Sequence, residues 1–471
     1  MPERSSDKSG WARRLAGFLC TTAVATVLGG AVPAAAQTLT EAFAYAYNNN
    51  PQLLAQRAAL RATDEQVPQA LSNWRPTVNF TGTAGEFRGG FSNTPGAKTQ
   101  ISSFTQRTLD VQITQPLYRG GRTEAQTRQA INTVQSARAQ TLAVETSVFQ
   151  AVAQAYIDVV RDQTLVEVNR NNEQVLRKQL EATQDRFRVG EVTRTDVAQA
   201  ESSYAQSTAT RIASEGQLEV SRANYTRAVG HPPGRLLLPR ERPALPATRD
   251  EALSLAASNN PNVISAGFAE LAARDNIDVV RGQLLPQISI VGDANRSYGG
   301  SFTQRSARQD NASVVARMTM PLYEGGSIYS QTRQAEQTVG QRRSQADDSR
   351  RQSVQSATQS WETLQSARAA IASFAAAVRA AQIALEGVQQ EALVGSRTVL
   401  DVLISQQQLF TTQSQLVVAQ HDAAVAEFNL AASTGRLIAP QLRLPVQLYD
   451  MEKHYKAVKD KLFGFGGGLQ E

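Results

Sequence analysis

An internal tandem repeat constrains this sequence more than any other feature. Asn49-Asn50-Pro51 recurs as Asn259-Asn260-Pro261, an offset of 210 residues. Pro116-Leu117-Tyr118-Arg119-Gly120-Gly121 recurs as Pro321-Leu322-Tyr323-Glu324-Gly325-Gly326, an offset of 205. The offset changes once between these two motifs, through a short contraction. Chance does not keep a register through separated motifs, so we expect a fold with two copies of one unit.

Further matches extend the repeat across the whole unit. They pair Pro76 with Pro286, Thr127–Ala130 with Thr332–Ala335, Val189-Gly190 with Val394-Gly395, Asp196 with Asp401, and Gly230 with Gly435. Residues 231–247 hold five of the 17 prolines and are predicted to be a linker. The sequence thus predicts a first repeat at 37–230, a second repeat at 248–440 and a partly mobile tail at 441–471.

Each repeat contains two segments of alternating apolar and polar residues after a short helical segment. Strands are predicted at 77–87 and 109–117 in the first repeat, and at 287–297 and 311–322 in the second. The polar segments that join them are expected to be exposed loops. Alternation over about ten residues is typical of a transmembrane β-strand, but a half-buried soluble hairpin has the same pattern. The strands alone leave both interpretations open.

A long helical segment follows each Gly-Gly pair. Residues 122–189 contain neither glycine nor proline, and a helix of that length reaches about 100 Å at 1.5 Å per residue. Helices are predicted at 122–189, 191–229, 327–394 and 396–434. Apolar residues form two adjacent stripes, which favours packing on both flanks of the helix. The alternative is an antiparallel coiled coil, which packs along one seam.

The N-terminus has the features of a secretory signal at residues 1–36. Arg13-Arg14 precede an apolar stretch and Ala34-Ala35-Ala36 follows it, so cleavage is predicted after Ala36. The single cysteine, Cys20, lies inside this segment. The mature chain is therefore expected to be exported and free of cysteine.

Composition argues against several classes of function. One cysteine and three histidines supply neither a disulfide nor a zinc cluster. The 48 Lys and Arg residues, against 42 Asp and Glu, form no basic stripe of the kind that binds nucleic acid. No Ser/His/Asp grouping and no phosphate-binding loop stands out. We therefore expect neither an enzyme nor a bound cofactor or metal.

The four predicted strands cannot close a barrel on their own. The smallest membrane barrels have about eight strands, and an open sheet edge finds no hydrogen-bond partners in lipid. If the strands span a membrane, several copies of the chain must close the barrel together. A dimer would supply eight strands and a trimer twelve.

The repeated motifs resemble those of the TolC family of outer-membrane efflux proteins over essentially the whole mature chain. The resemblance rests on the paired Asn-Pro segments, on Pro-Leu-Tyr-x-Gly-Gly before each long helix, and on the glycine turns within 187–196 and 394–403. It implies a membrane α+β fold, in which a tandem-duplicated protomer forms a homotrimer. The trimer would have a 12-stranded outer-membrane β-barrel continuous with a 12-helix periplasmic α-barrel.

The resemblance also implies a function and partners. The expected role is an exit duct in the outer membrane for efflux of small molecules, for type I protein secretion, or for both. Its partners would be a periplasmic adaptor protein and an inner-membrane transporter of RND, ABC or MFS type, with outer-membrane lipid around the barrel. The sequence does not identify the cargo.

Turn residues receive structural roles from the same resemblance. The helical-hairpin tips, where the adaptor would dock, are placed at Val189-Gly190 and Val394-Gly395. The strand-to-helix turns are placed at Pro116, Gly120, Gly121, Pro321, Gly325 and Gly326.

The resemblance places a gate at the second tip. Three copies of Asp401 would form an acidic ring that holds cations. Arg397 would form a latch to Thr195 and Asp196 of the neighbouring hairpin. Taken alone, Arg397 and Asp401 also fit an ordinary i,i+4 surface pair.

Two residues depart from the family pattern at this gate. Ile404 stands where some relatives have a second acid, so a second constriction would be apolar. Ala392 stands where the family has a latch tyrosine, and it makes no such hydrogen bond. The closed state is therefore expected to depend more on Arg397.

One alternative of a different class is an exported coiled-coil scaffold or adaptor without a pore. Its β-segments would then form a soluble domain. A general diffusion porin is disfavoured, because about half of this chain is predicted to be helical.

Overall fold

The computed structural model describes residues 37–464, except 93–94, 96–99, 238, 240–241 and 300–306. The predicted signal at 1–36, with Cys20 and the cleavage site after Ala36, lies outside the described residues. So does the last part of the predicted tail, 465–471.

The described elements follow one another in the same order in both halves of the chain. The first half has α1 (Leu39–Asn49), α2 (Pro51–Asp64), α3 (Gln66–Leu71), β1 (Thr77–Phe91), β2 (Gln100–Arg119), α4 (Arg122–Arg188) and α5 (Arg194–Val229). The second half has α6 (Arg249–Asn259), α7 (Pro261–Arg281), β3 (Gln287–Gly299), β4 (Ala307–Thr319), α8 (Ser327–Leu393) and α9 (Val399–Ser433), and a short helix α10 (Lys453–Val458) follows.

The repeated Asn-Pro motif begins α2 and α7 and ties each of them to the end of a long helix. The side-chain oxygen of Asn50 accepts from the Gln52 backbone N–H at 2.9 Å, and proline occupies the first turn, where it needs no N–H partner. The Asn50 side-chain amide donates to the Ala228 carbonyl near the end of α5, at 3.1 Å. Asn260 repeats both contacts, with its amide on the Ser433 carbonyl in α9 at 3.0 Å. The motif is thus a helix cap that also fixes a tertiary contact.

The four described strands form one antiparallel sheet in the order β1-β2-β3-β4. β1 and β2 are longer than the predicted 77–87 and 109–117, and they pair as far as Phe91 opposite Gln100. Much of the segment predicted as an exposed loop is therefore strand. The prediction was wrong there because it followed regular apolar alternation, which is interrupted in 88–91 and 100–108, although Phe87 and Phe104 stack there with ring centroids 5.5 Å apart.

The second hairpin also differs from its predicted bounds. β3 runs to Gly299 rather than 297, and β4 begins at Ala307 rather than 311. β4 ends at Thr319, short of the predicted 322. Its equivalent, β2, continues to Arg119 through an irregularity between Pro116 and Tyr118, because there it pairs with β3. The last residues of β4 have no such neighbour within the described chain.

The long helices α4 and α8 both contain 67 residues. α4 packs against α5, α7 and α9, and α8 packs against α9, α7 and α6. α4 thus has neighbours on more than one flank, as its two apolar stripes predict. The helices that return, α5 and α9, begin three residues later than predicted because a turn and a capping residue precede them.

The main hydrophobic core lies where the short helices meet the long ones. Aromatic residues dominate it, with ring centroids of Phe43 and Phe149 5.1 Å apart and those of Phe43 and Phe428 6.0 Å apart. The fully buried Tyr156 donates its hydroxyl to the backbone carbonyls of Gln37 and Leu237, both at 2.8 Å. The linker between the repeats is therefore fastened to α4.

The C-terminal segment packs against this core as well, and the partial mobility predicted for 441–471 stays a prediction. The Tyr449 backbone N–H donates to the Tyr47 hydroxyl at 2.9 Å, and the Arg138 guanidinium lies 5.2 Å from the ring centroid of Tyr455. His454 lies 3.3 Å from the buried Asp64 carboxylate. These contacts hold the C-terminal segment, as far as α10, against the helices of the first repeat. The polar composition of the segment alone does not predict them.

A polar network joins α4 to α9 halfway along the helices. His421 is 8% exposed, and its Nε2 lies 2.7 Å from Asp158 Oδ1 while its Nδ1 lies 2.9 Å from Asp422 Oδ1. Arg161 pairs with Asp158 at 3.1 Å and with Asp162 at 2.7 Å. Burial alone would lower the pKa of His421, but the hydrogen bonds with the two carboxylates outweigh it and raise that pKa.

Replacing His421 with glutamine should reduce stability in a pH-dependent way. A raised histidine pKa stabilises the folded state fully below the unfolded-state pKa, and the contribution is lost as pH rises through the folded-state pKa. We expect a loss of about 1 to 3 kcal/mol at about pH 5.5, where Asp158 and Asp422 lose a charged partner, shrinking towards about pH 8. Thermal unfolding in detergent at both pH values measures it. An equal loss at both would contradict this role.

Candidate gate at the helical tips

Both long helices end in the same glycine turn. The Gly190 N–H donates to the Phe187 carbonyl at 3.0 Å and the Glu191 N–H donates to the Arg186 carbonyl at 2.9 Å. Gly395 has a φ of 82°, as Gly190 has, and the second tip repeats the same two bonds. This pair of bonds is the Schellman motif, which satisfies the last carbonyls of a helix and needs a left-handed residue. Glycine is therefore required by backbone geometry at both tips.

A capping box begins the returning helix at each tip. In the second tip the Thr398 backbone N–H and hydroxyl donate to Asp401 Oδ2 at 2.9 and 2.8 Å, and the Asp401 N–H donates to the Thr398 hydroxyl at 3.2 Å. Thr193 and Asp196 make the same bonds in the first tip. The repeated Thr-x-x-Asp therefore has a local explanation as helix capping. This capping pattern can be recognised in the sequence itself.

Replacing Gly395 with alanine should weaken the second tip by about 1 kcal/mol, because an L-residue is disfavoured in the left-handed region. An added Cβ would meet no atom within 4 Å, so the cost arises from the backbone alone. Hydrogen exchange of the amides between Val394 and Val399 should accelerate. Gly387→Ala is the matched control, because this helical glycine also has open space around it and alanine favours the helix there. Equal exchange in both variants would contradict the expectation.

The second tip is packed against both of its neighbours. Val399 and Leu403 are buried with Leu176 of α4 and Ala200 of α5, which belong to the first repeat. On the other side of α9, a cluster around Val402 holds it to α8. Ala392 is among the partly buried residues of that second cluster, so the position of the family's latch tyrosine is filled by apolar packing.

Arg397 has a partner within its own tip. Its Nε donates to Glu391 Oε2 at 2.8 Å, across the glycine turn. The first tip has a comparable pair of opposite polarity, Arg186 with Glu191 at 3.0 Å. Glu391 was missed by the sequence reasoning, since a pair six residues apart comes together only once the turn is known. Thr195 is exposed on the first repeat's tip, and Asp196 is half-buried beside it.

Asp401 and Ile404 lie three residues apart on the same side of α9, which the rest of the chain leaves uncovered. Ile404 is 59% exposed, whereas Val402 and Leu403 between them are buried. Hydrogen bonds from the Thr398 backbone N–H and hydroxyl lower the pKa of Asp401, so its carboxylate stays ionised below the usual range. The free face of the tip therefore presents a fixed negative charge followed by an apolar residue.

The strand-to-helix turns lie at the opposite end of the long helices. Gly120, Gly121, Gly325 and Gly326 all have positive φ, between 60° and 79°. An added Cβ on Gly120 would come within 2.3 Å of the Gly282 carbonyl oxygen, whereas one on Gly325 would meet nothing within 4 Å. Pro116 lies at the irregularity of β2, and Pro321 lies just beyond β4.

In the part of the chain that the structure describes, no group of three or more His, Cys, Asp or Glu side chains could hold a metal ion.

The chain matches known proteins over both repeats. The model of the outer membrane efflux protein family matches residues 44–231 and again 252–436. The chain belongs to this family. The outer membrane efflux protein BepC of Brucella suis is 36% identical over 94% of this chain and 96% of its own length. The outer membrane protein TolC of Vibrio cholerae is 27% identical over 80% of this chain and 85% of its own length.

The fold of this chain is also that of solved outer-membrane channel structures. The crystal structure of CusC superposes with a TM-score of 0.75 at 16% identity, covering 85% of this chain and 92% of that one. The family match and the named relatives confirm the predicted resemblance, the role as an outer-membrane exit duct and the outer-membrane location, and the solved structure confirms the tandem-repeat fold. As an outer membrane efflux protein, the chain belongs to a family of ducts rather than of enzymes.

Proposed function

We propose that three copies of this chain form a passive duct that is opened at its helical tips by a periplasmic adaptor. An energised inner-membrane transporter would load the duct, and the duct itself would perform no covalent chemistry. The cargo would be small molecules, secreted proteins or both.

The sheet carries this proposal. Along β1 and β2 one face holds Val78 and Phe80 opposite Ile113 and Val111, all of them exposed in the single chain. The other face holds Asn79 and other polar residues. β1 and β4 lie at the two ends of the described sheet, and each presents a row of unpaired backbone groups to its surroundings. An apolar face suits lipid, and pairing between copies removes the edges that lipid does not tolerate.

Helix α8 supports the same assembly. It contains an 18-residue stretch with a mean hydropathy of 1.3, apolar enough to cross a membrane by length and composition, of which 6% is buried in the single chain. A lone helix of this kind is weak evidence for a membrane span. In a helix joined to a β-sheet at one end and a hairpin tip at the other, such a surface suits packing against a neighbouring copy.

The tips offer a surface on which an adaptor could dock. Val189, Leu393 and Val394 are 72%, 77% and 81% exposed around the two glycine turns. Exposed apolar side chains on a rigid turn are typical of interaction sites. Crosslinkers placed beside Gly190 and Gly395 in cells should capture an adaptor protein, and the captured protein would identify the transport system.

The assembly is tested by native mass and by conductance. The detergent-extracted protein should have the mass of three copies, migrate differently on a gel after heating, and form ion-conducting pores in planar lipid bilayers. A soluble monomer without conductance would contradict the proposed assembly. A trimer without conductance would leave the assembly but remove the duct.

A further inference from the structure

Four arginines lie in the half of the described sheet that is farther from the helices, and all four are on one face. Residues two apart in a strand share a face, and cross-strand partners share it as well. Arg107 has Tyr298 as its partner, and Tyr298 in turn has Arg308. The pairings continue this face to Arg88 in β1 and Arg296 in β3. Within the described strands, the opposite face of this half carries no arginine or lysine.

The arginines share their face with the apolar residues of the sheet. The opposite face carries Asp110 and Asp293, whose carboxylates are unsuited to contact with lipid. The arginine face is therefore the one that the proposed duct turns towards lipid. On this face β3 and β4 carry the apolar run Ile288, Ile290, Gly292, Ala294, Ala312, Val314, Ala316 and Met318.

The depth of the arginines in a membrane follows from the length of this run. The stretch from Ile288 to Arg296 has the length, about nine to eleven residues, with which a tilted strand crosses a bilayer. The helices join the sheet at its other end, where β1 begins and β2 ends. Because the helical part projects into the periplasm, the arginines lie at the level of the outer-leaflet headgroups. Tyr298, which is 41% exposed, fits the aromatic girdle of that level.

Carboxylates of the chain neutralise only part of this positive charge. Asp310 accepts from Arg296 Nε at 2.7 Å and from Arg308 Nε at 2.9 Å, so two guanidinium groups share one carboxylate. Arg107 is exposed and pairs with no carboxylate in the described part of the chain. Glu86 is the second acid on this face among the described residues. Four cations therefore stand against two anions.

Arg107, Tyr298 and Arg308 form a continuous line across three strands, the arginine row. Neighbouring strands lie about 4.8 Å apart, so the Cα atoms of the two arginines are about 10 Å from each other. Both side chains are long enough to reach one group held between them over Tyr298. A guanidinium donates two parallel hydrogen bonds to phosphate oxygens, and the tyrosine hydroxyl can donate a further one. The row is therefore suited to a phosphate group.

We propose that the arginine row binds the phosphate groups of lipid A, the phosphorylated glycolipid of the outer leaflet. This rests on the proposed duct, whose sheet spans the membrane, and it gives that duct a specific lipid. The row would take a phosphate while the apolar run beside it takes the acyl chains. A free phosphate ion would gain nothing from the apolar run, so the continuity of the two surfaces favours the lipid.

Native mass spectrometry of the detergent-extracted protein tests this site. The probes are lipid A with both of its phosphate groups and the dephosphorylated lipid with the same acyl chains. The unaltered protein should bind the phosphorylated lipid about tenfold more tightly, because hydrogen bonds between charged groups are lost with the phosphates. Arg107→Gln combined with Arg308→Gln should remove this preference and leave binding of the dephosphorylated lipid unchanged.

Arg317→Gln is the matched control, because it removes the same charge from β4 on the opposite face. Its preference for the phosphorylated lipid should equal that of the unaltered protein. Arg107→Gln alone is the second test variant, since this side chain has no ion pair in the described chain to lose. It should weaken binding of the phosphorylated lipid severalfold even if the double variant fails to assemble.

Native mass and conductance are measured on each variant, so that failure of the site and failure of the duct can be told apart. A conducting trimer that binds both lipids equally overturns the lipid site while the proposed function stands. Equal weakening in Arg317→Gln overturns it too, because net charge would then explain the preference. Displacement of the lipid by an equal concentration of inorganic phosphate would assign the row to the free ion instead. A monomer without conductance overturns the duct and the lipid site together.

Discussion

Replacing Arg397 with alanine should raise the single-channel conductance severalfold in planar lipid bilayers. Arg397 lies at the tip of the second hairpin, where its guanidinium is half exposed and pairs with Glu391 at 2.8 Å. If it also reaches Thr195 and Asp196 of a neighbouring hairpin, its removal frees the tips to separate. Leakiness of cells to large antibiotics should increase in parallel.

Glu391→Gln is the control that separates a latch from a local ion pair. It removes the partner that the single chain shows and keeps the guanidinium free to reach a neighbouring hairpin. The conductance of this variant should stay close to that of the unaltered protein. Equal opening in both variants would assign the effect to the tip's own ion pair, and unchanged conductance in Arg397→Ala would contradict the latch.

The long helices could be predicted from the sequence to within one residue at most ends. Gly-Gly at 120–121 and 325–326 fixes their start, a long run without Gly or Pro fixes their length, and a single glycine fixes the turn. These signals are local, because backbone conformation at each glycine is decided by its own φ. Because the unit is duplicated, each of these local signals occurs at two equivalent positions in the sequence.

Strand ends and the C-terminal segment could not be predicted in the same way. The outer parts of β1 and β2 lack a regular apolar alternation, so hydrogen bonding to a partner strand is what makes them strands. The pairing of Tyr449 with Tyr47 joins residues from opposite ends of the chain. Such contacts depend on tertiary structure, which a periodicity within one segment does not contain.

At the candidate gate, the sequence predicted which residues lie at the tip but not which contacts they make. It placed Asp401, Arg397 and Gly395 together at one tip, and the structure brings all three to the second glycine turn. It did not predict that Asp401 caps its own helix through Thr398, or that Arg397 pairs with Glu391. Asp401 can cap its own helix and also line a pore when copies assemble. Only a functional measurement separates the capping role from the pore role.

Asp401→Ala should weaken block of the pore by trivalent cations by an order of magnitude or more. Three carboxylates around one axis would bind such a cation far more tightly than one does. The Thr398 N–H and hydroxyl lower the pKa of Asp401. Three carboxylates that converge on one axis would raise one another's pKa, which opposes the effect of these hydrogen bonds. The pH at which block is lost therefore measures which of the two effects is larger in the ring. The measurement is the blocker concentration that halves the current, taken across a pH series.

Loss of the helix cap accompanies Asp401→Ala and needs its own control. Thr398→Ala removes the two bonds made by the Thr398 hydroxyl, at a cost of about 1 kcal/mol in local helix stability. It leaves in place the Asp401 carboxylate and the bond that it accepts from the backbone N–H of residue 398. Cation block should therefore survive in Thr398→Ala, although its pH dependence should move part of the way up towards that of an ordinary aspartate. The hydroxyl bond that helps to lower the pKa of Asp401 is lost, whereas the backbone bond, which lowers it more, stays. Tight block that persists in Asp401→Ala would place the ring elsewhere. If both variants lost block, cation binding would depend on the geometry of the tip rather than on the charge of residue 401.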